Sequence, residues 1–380
     1  RNHEEETRRS RCNRDIEVVL NFLFEESCKI GIKDSPIVTL GLSFITLYRD
    51  ILSAWEFFCC AYTYIKARHM TIFLQPIIFS LAAAVFSGVN GFLTKSAVTA
   101  VGDPVVFTLL KNVMVALIFL GIFFWFRKAD EIKSATPRDR RMLLLIGVIG
   151  GGIPFILYFV GLSMIPAATA VFIHKTLFLW VAMLAVPFLG ERIDWLSAFA
   201  FGLLLFGIFV FQIPVWHTFG LGEGLVLIAT FLWAIENILA KKILRHISSL
   251  SAMSARMAFG SVVIFFWFLV SGKDESLLSL SWSAWGWVVL TSLLLAGYVS
   301  CWYRALSLAP AGFVASLLVP AAFITGAISS VFVTGTFSVG AFVGWLFLIG
   351  GITLLSWRIQ PLFHRGRNDR IFSACMERIG

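Results

Sequence analysis

Phe159–Arg192, FVGLSMIPAATAVFIHKTLFLWVAMLAVPFLGER, is the stretch that most limits what this chain can become. It reads as the end of one apolar helix, a tight turn at Pro166, and a second helix closed by Gly190-Glu191-Arg192. His174 and Lys175 stand in the middle of that second helix. A cationic side chain near the bilayer centre costs about 2.5–3.5 kcal/mol on insertion scales, so the helix must turn it toward other protein or a wet cavity. The stretch also recurs. Tyr303–Phe337, YRALSLAPAGFVASLLVPAAFITGAISSVFVTGTF, repeats its layout: Gly161-Leu162-Ser163 aligns with Ala305-Leu306-Ser307 and Pro166 with Pro310, at an offset of 144, and Gly190 with Gly335 at 145.

Of the 380 residues 58% are hydrophobic and only 14% charged, too few charges to cover the surface of a soluble domain of this length. Apolar runs of about 20 residues, the length needed to cross a hydrocarbon core, recur from Thr71 to Trp357. The expected fold is an all-α integral membrane protein with ten transmembrane helices, at 72–93, 105–126, 142–162, 167–189 and 195–213, then 221–240, 251–271, 284–303, 311–333 and 341–357. Residues 1–70 read as a leader. Ile37–Ile65 is apolar but interrupted by Arg49, Asp50 and Glu56, so it scores poorly as a span. The shift in charge and cysteine usage favours Met70 as the initiator, with an interfacial leader or an eleventh helix as the other readings.

The net charge of +9 invites a nucleic-acid reading, but the basic residues lie at span ends and in alternate loops. Sixteen of them, including Arg127, Arg138, Arg141, Arg192, Lys241, Lys242, Arg304 and Arg358, fall on one side, against Lys95 and Lys273 on the other. That side is expected to be cytoplasmic, with both bundle termini and the basic tail 358–380 inside an inner or plasma membrane. Cys12, Cys28, Cys59 and Cys60 fall in the leader and only Cys301 in the repeated bundle, with no metal-binding spacing. No GxSxG, HExxH or Walker loop occurs. Neither a metal, a cofactor nor nucleic acid is expected.

The duplication extends to all five spans, giving repeats at 71–213 and 221–357. Lys95 pairs with Lys241 at an offset of 146, Asn90 with Glu236, and Lys111 with Arg256 at 145. Five spans per unit is odd, so the second copy must enter the membrane from the opposite side. Inverted repeats are the architecture of secondary transporters, with the substrate near midplane. On the Gly-Leu-Ser-x-x-Pro-Ala and Ala-Leu-Ser-x-x-Pro-Ala segments at 161–167 and 305–311, LWAIEN at 232–237, Pro320, and Gly190-Glu191-Arg192, the chain resembles the EamA-type family of the drug/metabolite transporter superfamily. The resemblance implies a ten-helix carrier of small metabolites, often exporting and often proton-coupled. The sequence departs from the family pattern at Gly335-Thr336, where Gly-Glu is preferred, and at Lys175, where the second copy has Pro320.

Several residues carry a functional and a structural reading side by side. Lys175 is expected to meet a substrate carboxylate or phosphate with His174 as proton carrier, or else to be a buried neutral amine beside a hydrogen-bonded imidazole. Glu236 is expected either as the coupling-proton site, with Asn237 beside it and Trp233 on the same face, or as a partner of Lys241 or Lys242 at the interface. Asn90, its counterpart, cannot titrate. Lys111 and Arg256 are expected to snorkel, the alternative being an inward position that makes the cavity electropositive and suits anionic or zwitterionic cargo. Tyr158, Trp302 and Tyr303 either line the cavity or pack, and Glu191 is expected as a gate or helix-end contact. Gly150-Gly151-Gly152 with Pro154 should weaken span three, and Gly350-Gly351 should serve close packing. The expected function is transport of a small polar metabolite by alternating access, through a site built from His174, Lys175, Glu236, Asn90, Asn237, Trp302 and Arg256. An intramembrane enzyme acting on a lipid or isoprenoid is the second reading. Beyond the cargo, membrane lipids are the expected partners, and a homodimer is left open.

Overall fold

The structure, a computed structural model, describes residues 74–211, 219–272, 280–334 and 339–376. Contacts divide the chain into residues 1–70 and 71–380, and every described residue belongs to the second unit. The leader, the Met70 start, Lys273 and Gly335-Thr336 lie outside the described residues.

Among the described residues the chain is helical throughout: α1 (Leu74–Val101), α2 (Pro104–Trp125), α3 (Ala129–Ser134), α4 (Pro137–Ile146), a π-helix (Gly147–Gly152), α5 (Ile153–Met164), α6 (Ala167–Lys175), α7 (Leu177–Leu189) and α8 (Trp195–Phe211). The second half has α9 (Leu221–Ile243), α10 (Ser249–Ser271), α11 (Trp282–Leu308), α12 (Ala311–Ser316), α13 (Pro320–Ser329), a second π-helix (Ser330–Thr334) and α14 (Val339–Met376). Among the described residues nine helical runs are long and apolar enough to cross a membrane, and the 17-residue α8 is a shorter apolar helix beside them. The chain is a multi-pass membrane protein of ten helices in two inverted repeats.

Helix pairing shows the repeat directly. The first span (α1) packs along the eighth (α11) and the ninth (α13), while the sixth (α9) packs along the third (α5) and the fourth (α7). Exchanging the halves leaves this pattern unchanged. The second span (α2) packs on the seventh (α10) and the fifth (α8) on the tenth (α14), each on its own repeat counterpart. The inversion appears in where matching residues land. Gly161 and Ile165, at the end of α5, lie against Gly222 at the start of α9, so Lys241, at the far end of α9, is at the opposite end of the bundle. Its counterpart Lys95 shares a cavity wall with Leu162 and Ile165.

Helix starts and stops follow local chemistry. Gly102, at φ +84°, ends α1, and the Asp103 carboxylate then accepts from the amides of Val105 (2.7 Å) and Val106 (3.2 Å) to start α2. Helix α4 begins at Pro137, five residues before the expected span, because Thr136 caps the Asp139 amide and proline fits the first turn. Glu131 on α3 accepts from the Ser248 amide (2.5 Å) and the Ser251 hydroxyl (2.9 Å), tying this connecting segment to the start of α10. Partial burial raises its pKa, but the Ser248 and Ser251 bonds and Lys128 outweigh that and hold it below the usual carboxylate range. Asp194 accepts from Ser197 and pairs with Arg358; these bonds hold it at about 2 and join the start of α8 to α14. Helix α14 continues past residue 358, where the tail is expected to begin, to Met376.

Spans three, four and nine are not continuous α-helices. Span four breaks at Thr176 and span nine at Leu317–Val319, just before Pro320. At both breaks the backbone changes to tighter bonds, Thr176 to Ile173 in one and Leu318 to Ala315 and Val319 to Ser316 in the other. The amides therefore stay satisfied away from water. In span three the glycines give the π-helix and let it approach α10 closely. A Cβ on Gly260 would lie 2.4 Å from the carbonyl carbon of Gly151, and one on Gly151 would lie 2.2 Å from the Arg256 carbonyl oxygen. The expected packing role of Gly351 is seen against Leu204, whereas Gly350 has open space around it. Gly260→Val is expected to lower the melting temperature of the detergent-solubilised protein clearly, because overpacking against backbone costs about 1–3 kcal/mol or more. Gly350→Val should leave it nearly unchanged.

Candidate functional site

A cavity of about 570 Å³ lies between the halves, in the size range of small-molecule sites. Lys95, Val98, Thr99, Ser163 and Ile165 border it at one end of the bundle, and His174, Lys175, Glu236, Arg256 and Trp302 lie deeper. All seven candidate side chains inferred from sequence line this one space. The α6–α7 break places His174 and Lys175 on it from span four.

The opposite end is closed. Lys241 Nζ donates to the carbonyls of Leu306 (2.7 Å) and Ala309 (2.8 Å) where α11 ends. Gly190, at φ +70°, turns the chain after α7, so that Glu191 accepts from the amides of Ala311 (2.6 Å) and Gly312 (3.1 Å). Pro310 offers α12 no side-chain cap, and the carboxylate of the other half supplies one. Glu191 is thus a helix-end contact joining the halves.

At the centre, Glu236 is 2% exposed, accepts from the Tyr303 hydroxyl (2.5 Å) and stands 3.4 Å from Arg256 Nε. The expected contact with Lys241 or Lys242 is not made, because Glu236 lies two turns inside the end of α9 and Lys241 is spent on carbonyls. Arg256 Nη2 and Trp233 Nε1 both donate to the Gly150 carbonyl, at 3.2 and 3.0 Å. Pro154, four residues on, has no N–H to donate to this carbonyl, and glycine is required at 150: a Cβ would sit 2.1 Å from Glu236 Cγ.

The repeat reproduces this pair with altered charge. Lys111 Nζ donates to Asn90 Oδ1 at 3.2 Å and lies over the Phe107 ring at 5.2 Å. Lys111 and Arg256 are 5% and 6% exposed, so the expected snorkelling is overturned for both. Each is too deep to reach an interface and has a polar partner within the bundle. Their mutual repeat register was the signal in the sequence that they belong together.

Aromatic side chains frame the rest. The His174 ring meets the Trp233 and Tyr158 rings edge-on at 4.8 and 5.4 Å, and its Nδ1 is buried without a hydrogen bond among the described residues. Trp302 Nε1 donates to Asn237 Oδ1 (2.8 Å), while Asn237 Nδ2 donates to the Trp233 backbone carbonyl (2.8 Å) one turn earlier, so Asn237, anchored on its own helix, orients the Trp302 indole. Of the two readings of Tyr303 the packed one holds: it is fully buried behind Glu236. Tyr298, which nothing in the sequence marked, stacks on Trp302 at 6.0 Å and faces the cavity.

Breaking the buried pair from one side should be costly. Glu236→Leu is expected to destabilise the protein by about 3–5 kcal/mol, because Arg256 is left uncompensated, while Glu236→Leu with Arg256→Met should recover most of that. Thermal melts of the two variants in detergent check this; equal losses would mean the pair is not coupled.

The model of a family described as the EamA-like transporter family matches residues 74–212 and again 220–357. A crystal structure of another protein superposes with a TM-score of 0.61 at 14% identity, covering 76% of this chain and 98% of its own, and this likeness carries the fold alone. No curated protein matches the sequence.

Proposed function

The chain belongs to the EamA-like transporter family, and from that membership we propose that it is a secondary carrier moving a small polar metabolite by alternating access. The observation that carries the reading is one cavity between inverted halves, bordered by Lys95 and Ser163 at one end and shut at the other by Lys241 and Glu191. Both closing contacts join helix ends through backbone groups, so a rocking motion can make or release them without unfolding a span. The distribution of basic loops supports assigning the shut end to the cytoplasm, with both bundle termini inside a cell membrane. The state described here is then outward-open.

Export follows when cargo binds from the cytoplasm after Lys241 and Glu191 release. Glu236 is the proposed coupling site. A proton on its carboxylate cancels the attraction to Arg256, whose guanidinium reaches the other half at the Gly150 carbonyl and over the Phe155 ring. Protonation therefore loosens one tie between the halves. His174, with an unpartnered buried nitrogen, is placed to exchange a proton or hydrogen-bond with cargo. Duplication, with a cavity bordered at one end and shut at the other, supports transport over intramembrane catalysis, because both serve access from two sides.

Mass-spectrometric profiling of cells and medium, for cells expressing the protein against empty cells, tests the reading. At least one polar metabolite should shift to the medium with the wild type, and Lys175→Met at equal expression should remove most of that shift. A new product without a change in distribution would favour the enzyme reading. No shift and no product at matched expression would overturn export.

A further inference from the structure

The two halves present the same cation with different partners. In the second half Arg256 faces the Glu236 carboxylate at 3.4 Å, and the two charges cancel. In the first half the corresponding Lys111 faces the neutral Asn90 amide at 3.2 Å and the Phe107 ring, with no ion pair among the described residues. Where the second half has Pro320, the first has Lys175, which makes no hydrogen bond or ion pair with the described residues although it borders the cavity. Glu236 is the only carboxylate lining that cavity among the described residues. Each departure from repeat symmetry thus adds positive charge to the first half's wall and no counter-charge. Lys95 adds a third cation at the mouth.

Resting on the carrier reading, we propose that the cargo is an organic oxyanion, a carboxylate or phosphate ester, bound by Lys111 and Lys175 with its body against the Tyr158, Trp233 and Trp302 rings. A cation removed from bulk water without a partner is costly, and an incoming anion removes that cost. A charge-assisted bond to an oxyanion is also stronger than the neutral bond Lys111 makes to Asn90. Lys95 at the mouth raises the local concentration of anions. The aromatic walls supply contact area for the uncharged part of the molecule. Zwitterions such as amino acids would bring an ammonium group into a site that has no free carboxylate to receive it.

Proteoliposomes containing the purified full chain, loaded with an equimolar mixture of amino acids, organic acids, sugar phosphates, nucleosides and polyamines, provide the test, with efflux read by mass spectrometry. Compounds carrying net negative charge should leave through the wild type. Their efflux should fall about tenfold in Lys175→Gln and in Lys111→Gln, as expected for loss of one charge-assisted contact, and recover in Lys175→Arg. Efflux of organic acids but not sugar phosphates, or the reverse, identifies the oxyanion. Efflux confined to zwitterionic, neutral or cationic compounds would overturn the anion assignment and leave the carrier reading standing. No efflux of any class would overturn both.

A second inference comes from the closed end. Lys241 is latched to the carbonyls of Leu306 and Ala309. The repeat places Lys95 against Lys241, and Leu162 and Ile165 against Leu306 and Ala309. Lys95 is exposed, and all three residues border the open mouth. We infer that in the opposite state Lys95 closes the mouth by donating to the carbonyls of Leu162 and Ile165. Glu191, which caps α12 at the shut end, has Thr336 as its counterpart in sequence, so the outer closure lacks that carboxylate and is held by fewer charged contacts.

Spin labels at Thr99 and Ser163, in a chain whose native cysteines are replaced by serine, measure the mouth by double electron–electron resonance. Lys241→Ala should produce a short-distance population, and adding Lys95→Met should remove it. Absence of a short population in Lys241→Ala, or its survival in the double variant, would overturn the latch.

Discussion

The Gly150 carbonyl is the point on which the centre of the molecule depends. It receives hydrogen bonds from Arg256 and Trp233, both of the second half, although it belongs to the first. In a membrane core no water is present to satisfy a displaced backbone carbonyl, so a helix can release one only where protein groups take it up. Pro154 withholds the regular amide donor, glycine removes the side chain that would strike Glu236, and the guanidinium that Glu236 holds takes up the carbonyl together with the Trp233 indole. The parts support one another: the ion pair would be more expensive without the carbonyl, and the carbonyl is satisfied jointly by Arg256 and Trp233.

The same rule governs the other interruptions. Span four breaks beside Lys175 and span nine before Pro320, at related places in the repeat, and both bring helix ends or side chains toward the space between the halves. In the first copy the break carries a cation, in the second a proline. Inverted duplication gives two matching frameworks, and substitution within them gives the site its chemical direction. Asn90 facing Lys111, where Glu236 faces Arg256, is the clearest case. The pairing geometry is shared and the net charge is not.

The closures show a comparable division. At the shut end a lysine and a carboxylate each engage backbone groups of the other helix ends, without a salt bridge between side chains. Backbone groups at a helix end are present in whatever state the helices adopt, so in the proposed carrier cycle such contacts could be broken and remade. A set of buried ion pairs would bind one state too firmly for exchange.

Much of this was determined by the sequence alone. Apolar length gave the spans, and the offset near 145 between matching residues gave the duplication. An odd number of spans per copy required inversion, and the cost of a charge in lipid required His174, Lys175 and Glu236 to face inward. These follow from local composition and from the membrane as solvent, which act on each segment by itself. What the tertiary structure decided was which inward groups meet. Glu236 was open in the sequence to pairing with a long Lys241 or Lys242 side chain, and takes Arg256 and Tyr303 instead, because α9, α10 and α11 cross at that level. Lys111 and Arg256 had the length to snorkel, and are buried because partners from other parts of the chain lie within reach. That the glycine triplet would interrupt span three was legible; that the freed Gly150 carbonyl would meet an arginine 106 residues away was not. Distance along the chain holds no record of such crossings, which are fixed only when the two halves pack together.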